Sequence, residues 1–150
     1  MIEEGLVVQR RIGVQPWLGI LLTISATAHM QCGNLGRAHE QLAEAVAYVE
    51  RTGAMVMLPE IERLHAEALL SSGQIGSTEA ISRIEAAAAL ARQQGALALE
   101  WRTTMSLARL HRDTGRHEVA RDMLRQNYAR FTEGFASLDL VEGKRLLDAM

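Results

Sequence analysis

The sequence predicts an all-α protein, and three observations carry that expectation. Apolar residues form 48% of the chain and are chiefly Ala and Leu, while aromatics make up 4%. Alanine and leucine suit close-packed helices, whereas strands draw on β-branched and aromatic side chains. Only two prolines occur in 150 residues, and no Asn-Gly or Asp-Gly hairpin signal is present. Finally, a pattern of small residues and glycines recurs at nearly constant spacing, the mark of stacked supersecondary units.

The clearest copy of that pattern is Ser106 to Leu124, SLARLHRDTGRHEVARDML. It reads as two helices separated by a tight turn at Thr114-Gly115-Arg116. Leu107 and Ala108 precede the turn, and Ala120 and Leu124 follow it. A small residue on one helix, answered by an alanine on the next, lets two helices approach closely.

In chain order, residues 1–15 carry Ile2, Leu6, Val7 and Ile12 before Gly13, and read as the remnant of a preceding repeat helix. Pro16 is then expected to open a helix, because proline costs little in a first turn. Gly33-x-x-Gly36 recurs as Gly73-x-x-Gly76, and Gly115 holds the third turn. Seven residues before each turn glycine stand Ala26, Ala66 and Ala108. After each turn come Ala38, Ala80 and Ala120, each followed four residues later by Leu42, Ile84 or Leu124. The second helices are expected to stop at Gly53, Gly95 and Gly134 in left-handed caps. This gives three hairpins, 16–53, 58–95 and 97–134, within a repeat region of 16–134. Ala86 to Ala89 is expected to form a close-contact strip. Residues 135–150 form a capping helix with Leu140, Val141, Leu146 and Leu147 on its apolar side.

Net charge is near −2, with 16 basic and 18 acidic residues, which excludes the basic footprint of a nucleic-acid binder. The one cysteine, Cys32, forms no intrachain disulfide and is expected to be a small buried hydrophobe in a cytoplasmic protein. An apolar run from Trp17 to Ala28 follows Arg10-Arg11 and imitates an export signal. Ala26 and Ala28, however, share register with Ala66 and Ala68, and a cleavable leader has no reason to keep phase with a fold. The polar residues Thr23, Ser25 and Thr27 also argue against a membrane-spanning helix.

The small–large pattern resembles tetratricopeptide repeats over nearly the whole chain. The units are longer than the usual repeat of about 34 residues, and the family's early tryptophan is replaced by Thr104 in the third hairpin. The phrases YVERTGA, SLARLHRDTGRHEVARDML and RFTEGFASLDLVEGKRLLDAM are similar to the C-terminal repeat region of bacterial ATPase-containing signalling regulators. In those proteins a cyclase-type, winged-helix or LuxR-type output domain accompanies a nucleotide-binding module. The resemblance implies an α-solenoid of three hairpins that serves as a sensing or scaffolding end. No G-x-x-x-x-G-K-[ST] phosphate loop occurs in this chain.

In such repeats the first helices line a concave face. The phase set by Ala26, Ala66 and Ala108 aims Ile20, Thr23, Thr27 and Met30 into it from the first hairpin. The second supplies Glu60, Arg63, Glu67 and Leu70, and the third Arg102, Met105, Arg109 and Arg112. Three arginines beside a methionine are suited to a carboxylate or phosphate. The alternative is that Glu67 and Arg109, at equivalent positions, pair with each other. His29-x-x-Cys32 and Glu62-x-x-His65 are incomplete ligand sets, so neither a metal nor a cofactor is expected. His29 and His111 share a repeat position with Leu69 and are expected to fill packing space.

The segment Trp17, Leu18, Ile20, Leu21, Leu22 and Ile24 is too apolar for one helical stripe and expects cover on both sides. Either further chain or a second copy would supply it, with Trp17, Leu18, Leu21 and Leu22 as the self-association surface. The expected function is a non-enzymatic protein–protein interaction module that binds a protein or peptide, with no nucleic-acid or membrane partner. A self-assembling homodimer is the alternative.

Overall fold

A computed structural model describes residues 4, 5, 7, 8 and 17–150 of the chain. The expected leading segment 1–15 and Pro16 therefore lie almost entirely outside the described residues. Among those residues the protein is all-helical, with seven α-helices and one short 3₁₀ turn, Met55–Met57. They are α1 (Leu18–Gln31), α2 (Leu35–Thr52), α3 (Leu58–Ser71), α4 (Ser77–Gln93), α5 (Leu97–Asp113), α6 (His117–Tyr128) and α7 (Leu138–Asp148). The chain divides into two compact units, Met1–Arg83 and Ile84–Met150, and the division falls within α4. None of the helices described is long and apolar enough to cross a membrane.

In the first unit α1 packs against both α2 and α3, and α2 also packs against α3. Its core joins Leu18, Leu22 and Ala26 of α1 to Ala38, Leu42, Ala45, Tyr48 and Val49 of α2, with Ile61, Leu64 and Ala68 of α3. The α2 positions fall three, four and seven residues apart and make one apolar stripe. Pro59 sits in the first turn of α3, where its missing N–H costs nothing. The second unit repeats the arrangement, with α5 against α6 and α7, and α6 against α7. Trp101, Met105 and Ala108 of α5, Ala120 and Leu124 of α6, and Leu140 and Leu146 of α7 form its core.

The recurrent small residues are among the best-buried of the described positions. Ala26, Ala38, Ala80, Ala108 and Ala120 have no exposed surface and Ala66 has 1%, as expected of close-approach positions. Of the expected alanine strip, Ala87 and Ala88 are buried while Ala86 and Ala89 face outward. The glycine pattern has an equally direct cause. Among the described residues φ is positive at six positions only: Gly33, Gly53, Gly73, Gly95, Gly115 and Gly134. At Gly33 the amide donates to Met30 O, and the Asn34 amide reaches back to His29 O. The same pair of bonds closes the helices before Gly73, Gly95 and Gly115. This is the Schellman cap, which needs a left-handed residue that glycine adopts without strain.

One boundary departs from expectation. The helix expected to reach Gly134 ends at Tyr128, and Gly134 instead sits in the loop before α7. The Arg130 and Phe131 amides tighten onto Asn127 O and Tyr128 O, ending the helix. Phe131 meets the Trp101 ring edge-on at 5.8 Å, and Tyr128 packs on the same ring at 5.7 Å. Trp101 is 1% exposed and its Nε1–H donates to Asp139 O at 3.0 Å. Leaving the helix early thus completes an aromatic cover for the largest side chain of the core.

Gly143 lies beneath that indole, and a Cβ there would overlap the six-membered ring of Trp101. Gly143→Ala should therefore lose about 1–3 kcal/mol or more of stability in urea unfolding, through overpacking. Gly36, early in α2 with open space around it, is the control. Gly36→Ala should be neutral or gain up to about 1 kcal/mol. Equal tolerance at both positions would contradict the packing described.

Candidate functional site

The candidate partner-binding residues divide between the two units, and each group is held by its own helix. In the first unit, α3 places Arg63 about one turn from Glu60 on one side and from Glu67 on the other. The Arg63 guanidinium grips Glu60 in a bidentate fashion, with contacts of 2.7 and 2.9 Å, and donates to Glu67 at 2.9 Å. Glu60 is 5% exposed. Burial alone would lower the Arg63 pKa, and the two carboxylates more than reverse this and raise it. Met30 is half-buried against the core of the same unit. Thr23 and Thr27 spend their hydroxyls on Gly19 O and Thr23 O of their own helix.

In the second unit, Arg102, Met105, Arg109 and Arg112 follow one face of α5, and α7 packs beside this helix. Arg102 Nε donates to Asp139 at 2.7 Å, and Arg109 donates to Glu142 at 2.6 Å. Arg112 pairs with its neighbour Asp113 at 2.9 Å. Met105 is 4% exposed and belongs to the core. The acids of α7 thus meet two of the three arginines, while Glu67 is held by Arg63. The arginines keep about a third or more of their surface, and pairs of this kind are worth about 0–1 kcal/mol.

The four residues expected at a self-association surface are also placed differently from one another. Leu18 and Leu22 are buried in their own unit's core, and Leu21 packs partly against it. Trp17 is 61% exposed, and Ile24 of the same segment is 51% exposed. Cys32 is a correction. It is exposed, because α1 ends at Gln31 and the thiol falls on the turn beyond the last packed residue. Among the described residues no group of three or more His, Cys, Asp and Glu side chains is placed to hold a metal ion.

Sequence reasoning missed two polar groupings, although it singled out His65 as half of an incomplete ligand set. The first is Glu100, 2% exposed in the first turn of α5. Arg92 Nε donates to its Oε1 at 3.0 Å and Arg130 Nη1 to its Oε2 at 2.6 Å. Burial raises this carboxyl, but the hydrogen bonds from Arg130 and Arg92 outweigh it and hold the pKa below the ordinary value. Thr103 and Thr104 both donate to the Glu100 carbonyl. Thr104 Oγ1 in turn accepts Asn127 Nδ2–H at 3.1 Å. An acidic residue on an otherwise apolar helix face was the only trace of this group in the sequence.

The second is His39 on α2 and His65 on α3, whose ring nitrogens lie 3.0 Å apart. A single proton can sit between them. Burial, then the charges of His39 and Arg83, lower the His65 pKa from 6.5. His111 is lowered as well, by burial and by Arg116, with Glu85 opposing. Glu62 is raised by burial and by Glu50, with Arg83 opposing, so its contribution runs the other way.

No protein-family model matches this chain, and no curated protein is significantly similar to it.

The histidine shifts set a pH dependence. A folded-state pKa below the unfolded value means that the unfolded chain takes up protons first as pH falls. Stability is therefore present above pH 6.5 and is lost as the pH drops through the folded pKa values. Urea midpoints should fall between about pH 7.5 and about pH 5.5, and His65→Gln should shallow that slope. A flat profile, or one unchanged by the substitution, would contradict the pairing described.

Proposed function

We propose that the three hairpins are tetratricopeptide-type repeats of an α-solenoid, and that the chain is a non-enzymatic protein–protein interaction module. On this reading it is the regulatory or scaffolding end of a bacterial, cytoplasmic signalling or transcriptional regulator. The observation that carries it is positional equivalence. Ala26, Ala66 and Ala108 are each at most 1% exposed, each seven residues before a left-handed turn glycine. Ala38, Ala80 and Ala120, and after them Leu42, Ile84 and Leu124, are wholly buried. Three segments solving the same packing problem with the same residues support a repeat origin.

The partner on this reading is a protein segment carrying carboxylates, and the first-helix side chains are its contacts. Arg102, Arg109 and Arg112 are the anchors, because each is paired with a partly exposed acid, and exposed pairs of this kind contribute little that an incoming carboxylate would have to replace. Met105 shapes the floor beneath them from the core. Glu60, Arg63, Glu67 and Met30 are the corresponding positions on the first unit.

A second reading, a homodimer through the amino-terminal helices, is favoured by one observation. Trp17 and Ile24 leave large apolar surface exposed on and beside α1. Only Trp17 of the four expected self-association residues contributes to that surface.

Both readings meet one set of measurements. Peptides selected by display against the full chain should be rich in Asp and Glu. Arg109→Ala with Arg112→Ala should weaken a selected peptide about tenfold, with the helical circular dichroism unchanged. Selected peptides without acidic bias, or affinity unaltered by the double substitution, would remove the groove assignment. Sedimentation velocity at micromolar concentration decides the second reading, and a species that stays monomeric removes it.

A further inference from the structure

The buried Glu100 group opens onto a cavity of about 210 Å³ within the second unit. Arg92, Glu100, Thr104, Met123, Asn127 and Arg130 are among its lining residues. Asn127 is 7% exposed, and its Oδ1 has no hydrogen-bond partner among the described residues. Its orientation is determined by the network beneath it. Thr104 Oγ1 donates its proton to the Glu100 carbonyl, so toward Asn127 it acts as an acceptor and takes the amide Nδ2–H. The oxygen is left as an acceptor requiring a donor, and a buried polar atom without one is costly.

Charge defines the other half of the cavity. Arg92 and Arg130 bring two positive charges and Glu100 one negative, so the lining carries one net positive charge. Each guanidinium has five N–H donors, and Glu100 takes one from each at 3.0 and 2.6 Å. Both side chains are about half exposed or more, so their remaining donors are accessible. Asn127 lies in the last turn of α6 and Arg130 in the turn that follows, where the Arg130 amide donates to Asn127 O. Met123, four residues before Asn127, adds an apolar wall.

We propose that this cavity binds a small monoanionic carboxylate bearing one neutral hydrogen-bond donor, such as a hydroxy acid or an amido acid. The carboxylate sits on Arg92 and Arg130, and the donor completes Asn127 Oδ1. An ammonium donor is disfavoured beside a net positive lining. The volume is below that of ordinary drug-sized pockets, about 300–1,000 Å³, which favours a metabolite of a few heavy atoms over an extended peptide. The site is separate from the arginine stripe of α5 and does not depend on the interaction reading.

The test is nuclear magnetic resonance titration of the isotope-labelled full chain, following the Asn127 side-chain amide and the backbone amides of the residues that line the cavity, the latter serving alone where Asn127 is replaced. Glycolate and N-acetylglycine are the probes, with acetate lacking the donor and N-acetylglycinamide lacking the charge. Both probes should give saturable shifts at millimolar concentration, acetate should bind at least several-fold more weakly, and the neutral amide should give none. Arg92→Gln, at a largely exposed side chain, should weaken both probes about tenfold with the rest of the spectrum intact. Asn127→Leu should bring the probes down to the affinity of acetate. Absence of saturable shifts would overturn the proposal. Equal binding of acetate or of N-acetylglycinamide, or binding unaffected by Arg92→Gln, would do so as well.

Discussion

Two helices can lie close together only where side chains small enough to let them do so stand at the point of approach. In this chain that constraint is met by alanine. Ala26 and Ala38 share the first core, and Ala108 and Ala120 share the second, all four without exposed surface. Around them larger residues fill what remains, Leu22 and Leu42 in one unit, Trp101 and Leu124 in the other. Close-packed interiors tolerate neither a void nor an extra methylene cheaply, so these alanines dictate the helix separations. Gly33 and Gly115 serve the same end, because a Schellman cap turns the chain within two residues and the next helix packs against the one before it.

The polar groups follow from that packing. In the second unit a carboxylate at Glu100 is drawn inside with α5, and its burial is offset by guanidiniums from α4 and from the turn after α6. Removing both guanidiniums would leave a buried charge uncompensated, which costs far more than an exposed pair contributes. The arginines of α5 are different in kind. Their acids come from α7 or from the adjacent residue, and both members of each pair retain contact with water. One set of arginines is thus paired with a buried acid, the other with exposed ones.

What the sequence made legible was local. A residue required at positive φ is almost always glycine, so the turn glycines could be read directly, and the alanines by their constant distance from them. The exposed Cys32 was misread because its neighbours are apolar in sequence, although its place beyond the last turn of α1 puts it in solvent. The early end of α6 was hidden because its cause, the indole of Trp101, lies on another helix. Glu100, Arg92 and Arg130 have no periodic relation, and only packing brings them together. The arginine stripe was visible as charge, but its partners Asp139 and Glu142 were not, since they come from a helix assigned only to capping.

The most direct test of this account is to enlarge the approach points one at a time. Ala26→Leu, Ala66→Leu and Ala108→Leu should each lower the unfolding free energy by about 1–3 kcal/mol in urea titrations. The same change at exposed Ala43 or Ala86 should stay within about 0.5 kcal/mol of the parent. Comparable losses at all three buried positions are the predicted result. Free acceptance of leucine at any one of them would contradict the claim that alanine sets the spacing of these helices.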